Sequence, residues 1–212
     1  SSDLPECKIV TIEDPVEFAL PWVDQVPVRP QKGVTFAMAL RSALRQAPNA
    51  IMVGEIREPE TLALTHQAAL SGHVVMSTLH TDEAAGALTR MVEMGAEPFV
   101  VADAVRLITA QRLVRRVCPD CSEPCAPAAH EREQAERAAE AAGADLAQFP
   151  EQYARGRGCP KCNQTGFRGR TIIYELLEVD DDIRKAVHQC ASTEELRAAA
   201  IRQGMTPMVI DG

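Results

Sequence analysis

Three short apolar runs in the first eighty residues each end in a polar group, and this pattern constrains the fold more than any other feature of the chain. Ile9-Val10-Thr11-Ile12 runs into Glu13-Asp14, Ile51-Met52-Val53 into Gly54-Glu55, and Val74-Val75-Met76-Ser77-Thr78-Leu79 into His80. Runs of about four to eight β-branched or apolar residues, with helical stretches between them, read as parallel strands buried on both faces. In an open α/β sheet a ligand sits outside the carboxyl ends of the strands. Two acids and a histidine are therefore expected at one edge, where they suit nucleotide hydrolysis. Taken singly, each has a plainer reading as a solvated group at a strand end. Together, on three adjacent strand ends, they argue for a site.

The segments between the runs carry helical punctuation. Thr35 to Ala47 places Phe36, Leu40 and Leu44 on one face, and Pro48 closes it. Pro59 suits the first turn of a helix over Glu60–Leu70, with Gly72 as its stop. The strand Val74–Leu79 is followed by a helix that starts after Thr81 or Asp82 and ends at Gly95. A further helix is expected from Pro98 to Val117. Pro15, Pro21, Pro27 and Pro30 exclude long helices before Lys32, and Val16, Phe18, Leu20 and Trp22 alternate like an edge strand. Alternating strands and helices imply an α/β layer architecture with a mostly parallel sheet.

Composition shifts at Cys118. Residues 126–148 are rich in Ala, Glu and Arg and read as a solvated helical hairpin or a partly mobile insertion. Thr171–Leu176 reads as another strand. Ser192-x-x-Glu195 is a capping box opening a helix that Gly204 ends.

The net charge of −8 speaks against a nucleic-acid platform, which is normally basic. The one basic cluster is Arg112-Leu-Val-Arg115-Arg116. No apolar stretch approaches the roughly 18–20 residues of a membrane span. A cytoplasmic protein is expected, with membrane association only through partners.

Four of the seven cysteines form two Cys-x-x-Cys pairs, Cys118/Cys121 and Cys159/Cys162. Two knuckles that each aim two sulfurs at one point suit a closed tetrahedral structural Zn²⁺. A redox dithiol is the rival reading, but Pro119 and Pro160 occupy the same slot in both pairs. Cys7 and Cys190 are expected as core thiols, and Cys125 is near enough to be a spare ligand. Thirty-seven residues separate Cys121 from Cys159, so the Ala/Glu-rich insertion must fold back.

Longer stretches resemble one family. Thr11-Ile-Glu-Asp-Pro-Val-Glu17 is similar to the aspartate box of the type II secretion and type IV pilus assembly ATPases. Leu40-Arg-Ser-Ala-Leu-Arg45, Ile51-Met-Val-Gly-Glu-Ile-Arg57 and Glu60-Thr61 resemble their Walker B region, and Ser71-Gly-His-Val-Val-Met-Ser-Thr-Leu-His-Thr81 their histidine box. Gln111-Arg-Leu-Val-Arg-Arg-Val-Cys118 and Cys159-Pro-Lys-Cys-Asn-Gln-Thr-Gly-Phe-Arg-Gly-Arg170 resemble the segments around their zinc site.

That resemblance implies a partial RecA-like P-loop core over residues 1–117, a tetracysteine zinc element over 118–170, and a C-terminal strand and helical part over 171–212. It implies Glu13 as the group that polarises the attacking water, Glu55 as the Walker B acid, and His80 as the histidine at the phosphates. Asp14, Gly54, Arg57, His73 and Thr78 are expected at the nucleotide. A strand of five or six residues sets His73 and His80 ~20 Å apart, so His73 is also a candidate anchor for the strand's start. Arg29, Arg41, Arg45, Arg57 and Arg90 are candidates for charge supplied across subunits. The resemblance further implies ATP and Mg²⁺ as cofactors beside Zn²⁺, a homo-hexamer, and partners in an inner-membrane secretion or pilus platform.

The chain departs from that pattern in three places. Ala47-Pro48-Asn49 stands where the family carries acids around a proline, and Glu58 where it carries Asp. No Gly-x-x-x-x-Gly-Lys-[Ser/Thr] phosphate loop occurs. The chain is expected to be a C-terminal portion of the motor, clipped at both ends, that hydrolyses ATP poorly or not at all alone. The alternative is a non-catalytic zinc-containing interaction module.

Overall fold

A computed structural model describes residues 7–143 and 152–211, and their contacts divide into two compact units. The first runs to Thr81 and adds Gly86–Arg106 and Val179–Ser192; the second comprises Asp82–Ala85, Leu107–Glu178 and the stretch from Thr193 onward.

The first unit is built on a four-stranded, wholly parallel sheet of order β2-β1-β3-β4, with β1 Ile9–Glu13, β2 Val23–Pro27, β3 Ala50–Val53 and β4 Val74–Ser77. Val10, Ile12, Ile51 and Val53 are fully buried, as strands covered on both faces require. The outer strand β4 differs from the doubly buried expectation: Val74 and Met76 are more than half exposed. The edge strand expected over Val16–Trp22 is not formed. Phe18, Leu20 and Trp22 stand in solvent, and the edge is the next segment, β2.

Helices follow the strands, and the first two pack on the sheet. In α1 (Phe36–Leu44), the Thr35 side chain caps the start by accepting from the Met38 N–H. In α2 (Pro59–Leu70), proline occupies the first turn, where its missing N–H costs nothing. α3 spans Ala84–Glu93. α4 (Pro98–Ala104) packs its buried Val101 and Ala102 against α6 (Asp181–His188), which buries Ile183 and Val187.

The helix expected to continue to Val117 ends at Ala104. Leu107–Val117 is instead a strand, β5, paired antiparallel with β8 (Phe167–Glu178) in the second unit. The physical reason lies in the partner. Ile108, Ala110 and Val114 turn toward cover while Thr109, Gln111 and Leu113 stay exposed, a period of two that only pairing with a distant segment makes profitable. β8 extends beyond the expected Thr171–Leu176 for the same reason.

Within the insertion the described residues form one helix, α5 (Ala129–Ala142); the remainder of the expected 126–148 segment, 144–148, lies outside the described residues. β6 (Ser122–Cys125) and β7 (Tyr153–Gly156) close a short antiparallel ladder. α7 (Thr193–Arg202) and the short α8 (Met208–Asp211) complete this unit. Glu175 is buried on β8, and its carboxylate accepts from the first N–H groups of two helices, Ala84 at 2.6 Å and Met208 at 3.3 Å.

Candidate functional site

Parallel pairing brings the carboxyl ends of three strands level. Ile12 pairs with Val53 and Val53 with Ser77, so the next residues, Glu13, Gly54 and Thr78, stand side by side. The Gly54 N–H donates to the Ile12 carbonyl at 2.8 Å, and the Thr78 hydroxyl to the Gly54 carbonyl at 2.7 Å. A Cβ on Gly54 would lie 3.1 Å from that Ile12 oxygen and 3.5 Å from the Glu13 Cα. Glycine is thus the residue that lets β1 and β3 remain this close where they leave the sheet.

Glu55 follows immediately, with only 14 % of its side chain exposed. His80 Nε2 stands 3.0 Å from its Oε2, and Arg57 Nε donates to the same oxygen at 2.7 Å. Desolvation pushes the Glu55 carboxyl up. The hydrogen bonds from His80 and Arg57, with the guanidinium charge, outweigh it and hold the group below its ordinary range. An ionised, partly desolvated carboxylate is what a metal-holding or water-orienting acid requires.

Glu13 is held differently. Its Oε1 accepts from the Thr11 hydroxyl at 2.5 Å and from Gln25 Nε2 at 2.9 Å. Neither donor is among the residues expected at the site. Thr11 carried a usable signal, since it lies two residues before Glu13 on the same face of one strand. Gln25 carried none: it reaches Glu13 only because β2 pairs in register with β1, Thr11 opposite Gln25.

Asp14 is exposed beyond Glu13. His73 is not brought to this edge. It sits at the start of β4, where Nδ1 lies 3.0 Å from the Ser71 hydroxyl and 3.1 Å from the Ala68 carbonyl at the end of α2. Arg41 pairs with Glu60 at 2.6 Å and Arg90 with Glu93 at 3.5 Å, and Arg45 donates to Ser42 at 3.2 Å. Among these arginines Arg57 is the one bonded to a strand-end carboxylate.

In the second unit the four knuckle sulfurs lie within 4.8 Å of one another. Cys118 and Cys159 are 3.9 Å apart, Cys121 and Cys162 4.0 Å, and Cys159 and Cys162 3.7 Å. Sulfurs about 2.3 Å from one metal at tetrahedral angles stand about 3.8 Å apart, so the set fits a four-thiolate ion. Burial pushes the Cys162 thiol up, but hydrogen bonds from the amide N–H groups of Cys159 at 3.2 Å and Gly166 at 3.3 Å, and from the Cys159 and Cys121 thiols, hold it below its ordinary range. Asp120, beside the first knuckle, pairs with Lys161 and Arg168 beside the second.

The knuckles meet through glycine backbones. A Cβ on Gly156 would lie 2.1 Å from the Gly166 carbonyl oxygen, so close approach of two backbones is what this position needs. Cys125, half-buried on β6, is not among the clustered sulfurs. Cys7 and Cys190 are exposed, not core thiols: Cys7 precedes the first strand, and Cys190 stands at positive φ just past α6.

Known proteins resemble this arrangement over nearly its whole length. The family described as type II/IV secretion system protein matches residues 3–212. Type II secretion system protein HxcR of Pseudomonas aeruginosa is 45% identical over 99% of this chain and 39% of its own length. Type IV pilus assembly ATPase PilB of Thermus thermophilus is 46% identical over 98% of this chain and 23% of its own length. Type II secretion system ATPase E of Vibrio cholerae is 42% identical over 96% and 42% respectively. The chain thus spans less than half the length of these relatives. Among solved structures, the Legionella pneumophila ATPase DotB superposes with a TM-score of 0.62 at 25% identity, covering 100% of this chain and 48% of that one. The pilus retraction motor PilT shares the fold, with a TM-score of 0.58 at 24% identity over 97% of this chain and 51% of its own.

Proposed function

The chain belongs to the type II/IV secretion system protein family, and from that premise we propose that it is the C-terminal part of the ATPase that powers type II secretion or type IV pilus assembly. The observation that carries this reading is the pairing of Glu55 with His80 at 3.0 Å, beside Glu13 at the carboxyl edge of a parallel sheet. In this reading Glu13 polarises the water that attacks the terminal phosphate of ATP. Glu55 holds Mg²⁺, directly or through water, and His80 senses the phosphates. Bound Mg²⁺ supplies charge neutralisation between the phosphates. Asp14, Gly54, Arg57 and Thr78 border the nucleotide. His73 belongs to the same motif but serves the strand's other end.

The phosphate loop that such a motor needs is not encoded in these residues. We therefore expect the 212-residue chain alone to turn over ATP poorly. A further parallel strand bearing that loop finds room on β4, whose outer edge is unpaired among the described residues and whose Val74 and Met76 are exposed. A homo-hexamer with arginines supplied across subunits, working on the cytoplasmic face of the inner membrane, completes the proposal. Attachment through a platform partner belongs to the same proposal; among the described residues no helix is long and apolar enough to cross a membrane.

Cys118, Cys121, Cys159 and Cys162 would hold Zn²⁺. Four thiolates leave no open position for water, so the ion would organise the unit rather than react. The unit would then be a docking surface for the platform. The non-catalytic alternative keeps the zinc unit and denies the strand-end groups a reaction.

The deciding experiment joins this chain to its phosphate-loop segment and measures ATP turnover for wild type, Glu55→Gln and Glu13→Gln. Each substitution is expected to lower kcat on the order of 100-fold or more. Equal rates in all three would remove both glutamates from the mechanism and leave the non-catalytic module standing.

A further inference from the structure

Glu13 is an otherwise unconstrained, half-buried side chain at the end of a strand, yet one of its oxygens is gripped from two strands at once. On β1, the Thr11 hydroxyl donates to Oε1 at 2.5 Å. On β2, Gln25 Nε2 donates to the same oxygen at 2.9 Å. Oε2 is left without a hydrogen bond among the described residues.

The Gln25 carboxamide has no freedom to turn over. Its second N–H donates to the Phe18 carbonyl at 3.0 Å, and its own oxygen accepts from the Leu20 N–H at 2.7 Å. A flip would set its oxygen against a carboxylate and a carbonyl, and its NH₂ against an N–H. One side chain therefore fixes both the course of residues 18–20 and the orientation of Glu13. Parallel register places it there, because Thr11 and Gln25 are direct partners across β1 and β2 and project to the same side as Glu13.

We propose that Thr11 and Gln25 are positioning residues for Glu13: they clamp Oε1 so that Oε2 is presented to the reacting water. The inference rests on the reading of Glu13 as the group that polarises that water. A carboxylate on a flexible stem samples many orientations, whereas hydrogen bonds to an ionised acceptor are strong and directional enough to select one. Misplacement of a catalytic group by about 1 Å costs on the order of 100-fold in rate, so the clamp acts on kcat and not on nucleotide affinity.

The test uses the chain joined to its phosphate-loop segment. Gln25→Ala and Thr11→Val are each expected to lower kcat about 10- to 100-fold while KM for ATP moves less than about threefold. Thr11→Ser, which keeps the hydroxyl, restores the wild-type rate. The readout that separates positioning from simple support is the double substitution. Added to Glu13→Gln, Gln25→Ala should lower kcat no further, because residues that act through one group are not additive. Should Gln25→Ala fail to fold, Thr11→Val carries the same comparison, since it leaves the Gln25 bonds to Phe18 and Leu20 in place. A kcat within twofold of wild type for both single variants, or a loss that multiplies that of Glu13→Gln, overturns the clamp. If Glu13→Gln alone leaves kcat untouched, the reading of Glu13 fails first and the clamp falls with it.

Discussion

His80 Nε2 and Glu55 Oε2 stand 3.0 Å apart although twenty-five positions separate them in the chain. Two parallel strands, β3 and β4, end level with each other, and each delivers one partner to the same edge.

This pair makes the Glu55 carboxyl a reporter of folding. Its folded-state ionisation lies below the ordinary value of 4.5, despite desolvation, because His80 and Arg57 bond to it. A depressed carboxyl contributes stability that is present above the unfolded value and is lost as pH falls through the folded one. Acid unfolding followed by circular dichroism should therefore show wild type losing stability below about pH 4.5 more steeply than Glu55→Gln. In carboxyl-detected NMR, the Glu55 midpoint should rise in Arg57→Ala and in His80→Ala. An unmoved midpoint in both would mean that these partners do not set it.

Metal content checks the second unit. The purified chain is expected to carry about one Zn²⁺, and Cys118→Ser to lose most of it, since a tetrahedral thiolate site with one arm removed binds far more weakly. Elemental analysis of the two proteins decides the matter. Equal stoichiometry would count against a site built from these four sulfurs. Chelation of the wild type should reproduce the behaviour of Cys118→Ser.

Gly156→Ala should destabilise this unit by at least about 2 kcal/mol, because the new methyl meets backbone that has no rotamer to yield. A Cβ there would sit 2.1 Å from the Gly166 oxygen, whereas one on Gly169 meets nothing within 4 Å. Gly169 does hold a φ of +78°, so Gly169→Ala should cost about 1 kcal/mol from conformation alone. Denaturant unfolding of the two variants tests the order, and a larger loss at Gly169 would contradict it.

Glu175→Ala removes the acceptor of two backbone N–H groups at helix starts, those of Ala84 and Met208. Leaving such donors unpaired should cost roughly 2–4 kcal/mol in unfolding free energy. Glu175→Gln keeps one acceptor oxygen and should lose about half as much. A Glu175→Ala protein as stable as wild type would show that water reaches those amides.

Most of the first unit was legible because its signals are local. Buried parallel strands advertise themselves as short apolar runs, and Thr35, Pro59 and Gly72 mark helix ends through the chemistry of the first and last turn. The second unit was harder. Leu107–Val117 satisfies a helical reading until β8 is known to lie beside it, and Phe18–Trp22 alternates like a strand but finds no ladder partner among the described residues. Local propensity gives way wherever a distant segment supplies or withholds hydrogen bonds.

What the sequence determined by itself was the chemical inventory and its order: two acids and a histidine at strand ends, and four thiols in two knuckles. Tertiary structure decided which of these groups meet and what holds them. Register set Gln25 against Glu13 and left His73 at the far end of its strand, bonded to the close of α2. The reason is geometric. Side-chain direction along a strand follows from counting residues, whereas the neighbour across the sheet depends on pairing between segments that composition and spacing leave unspecified.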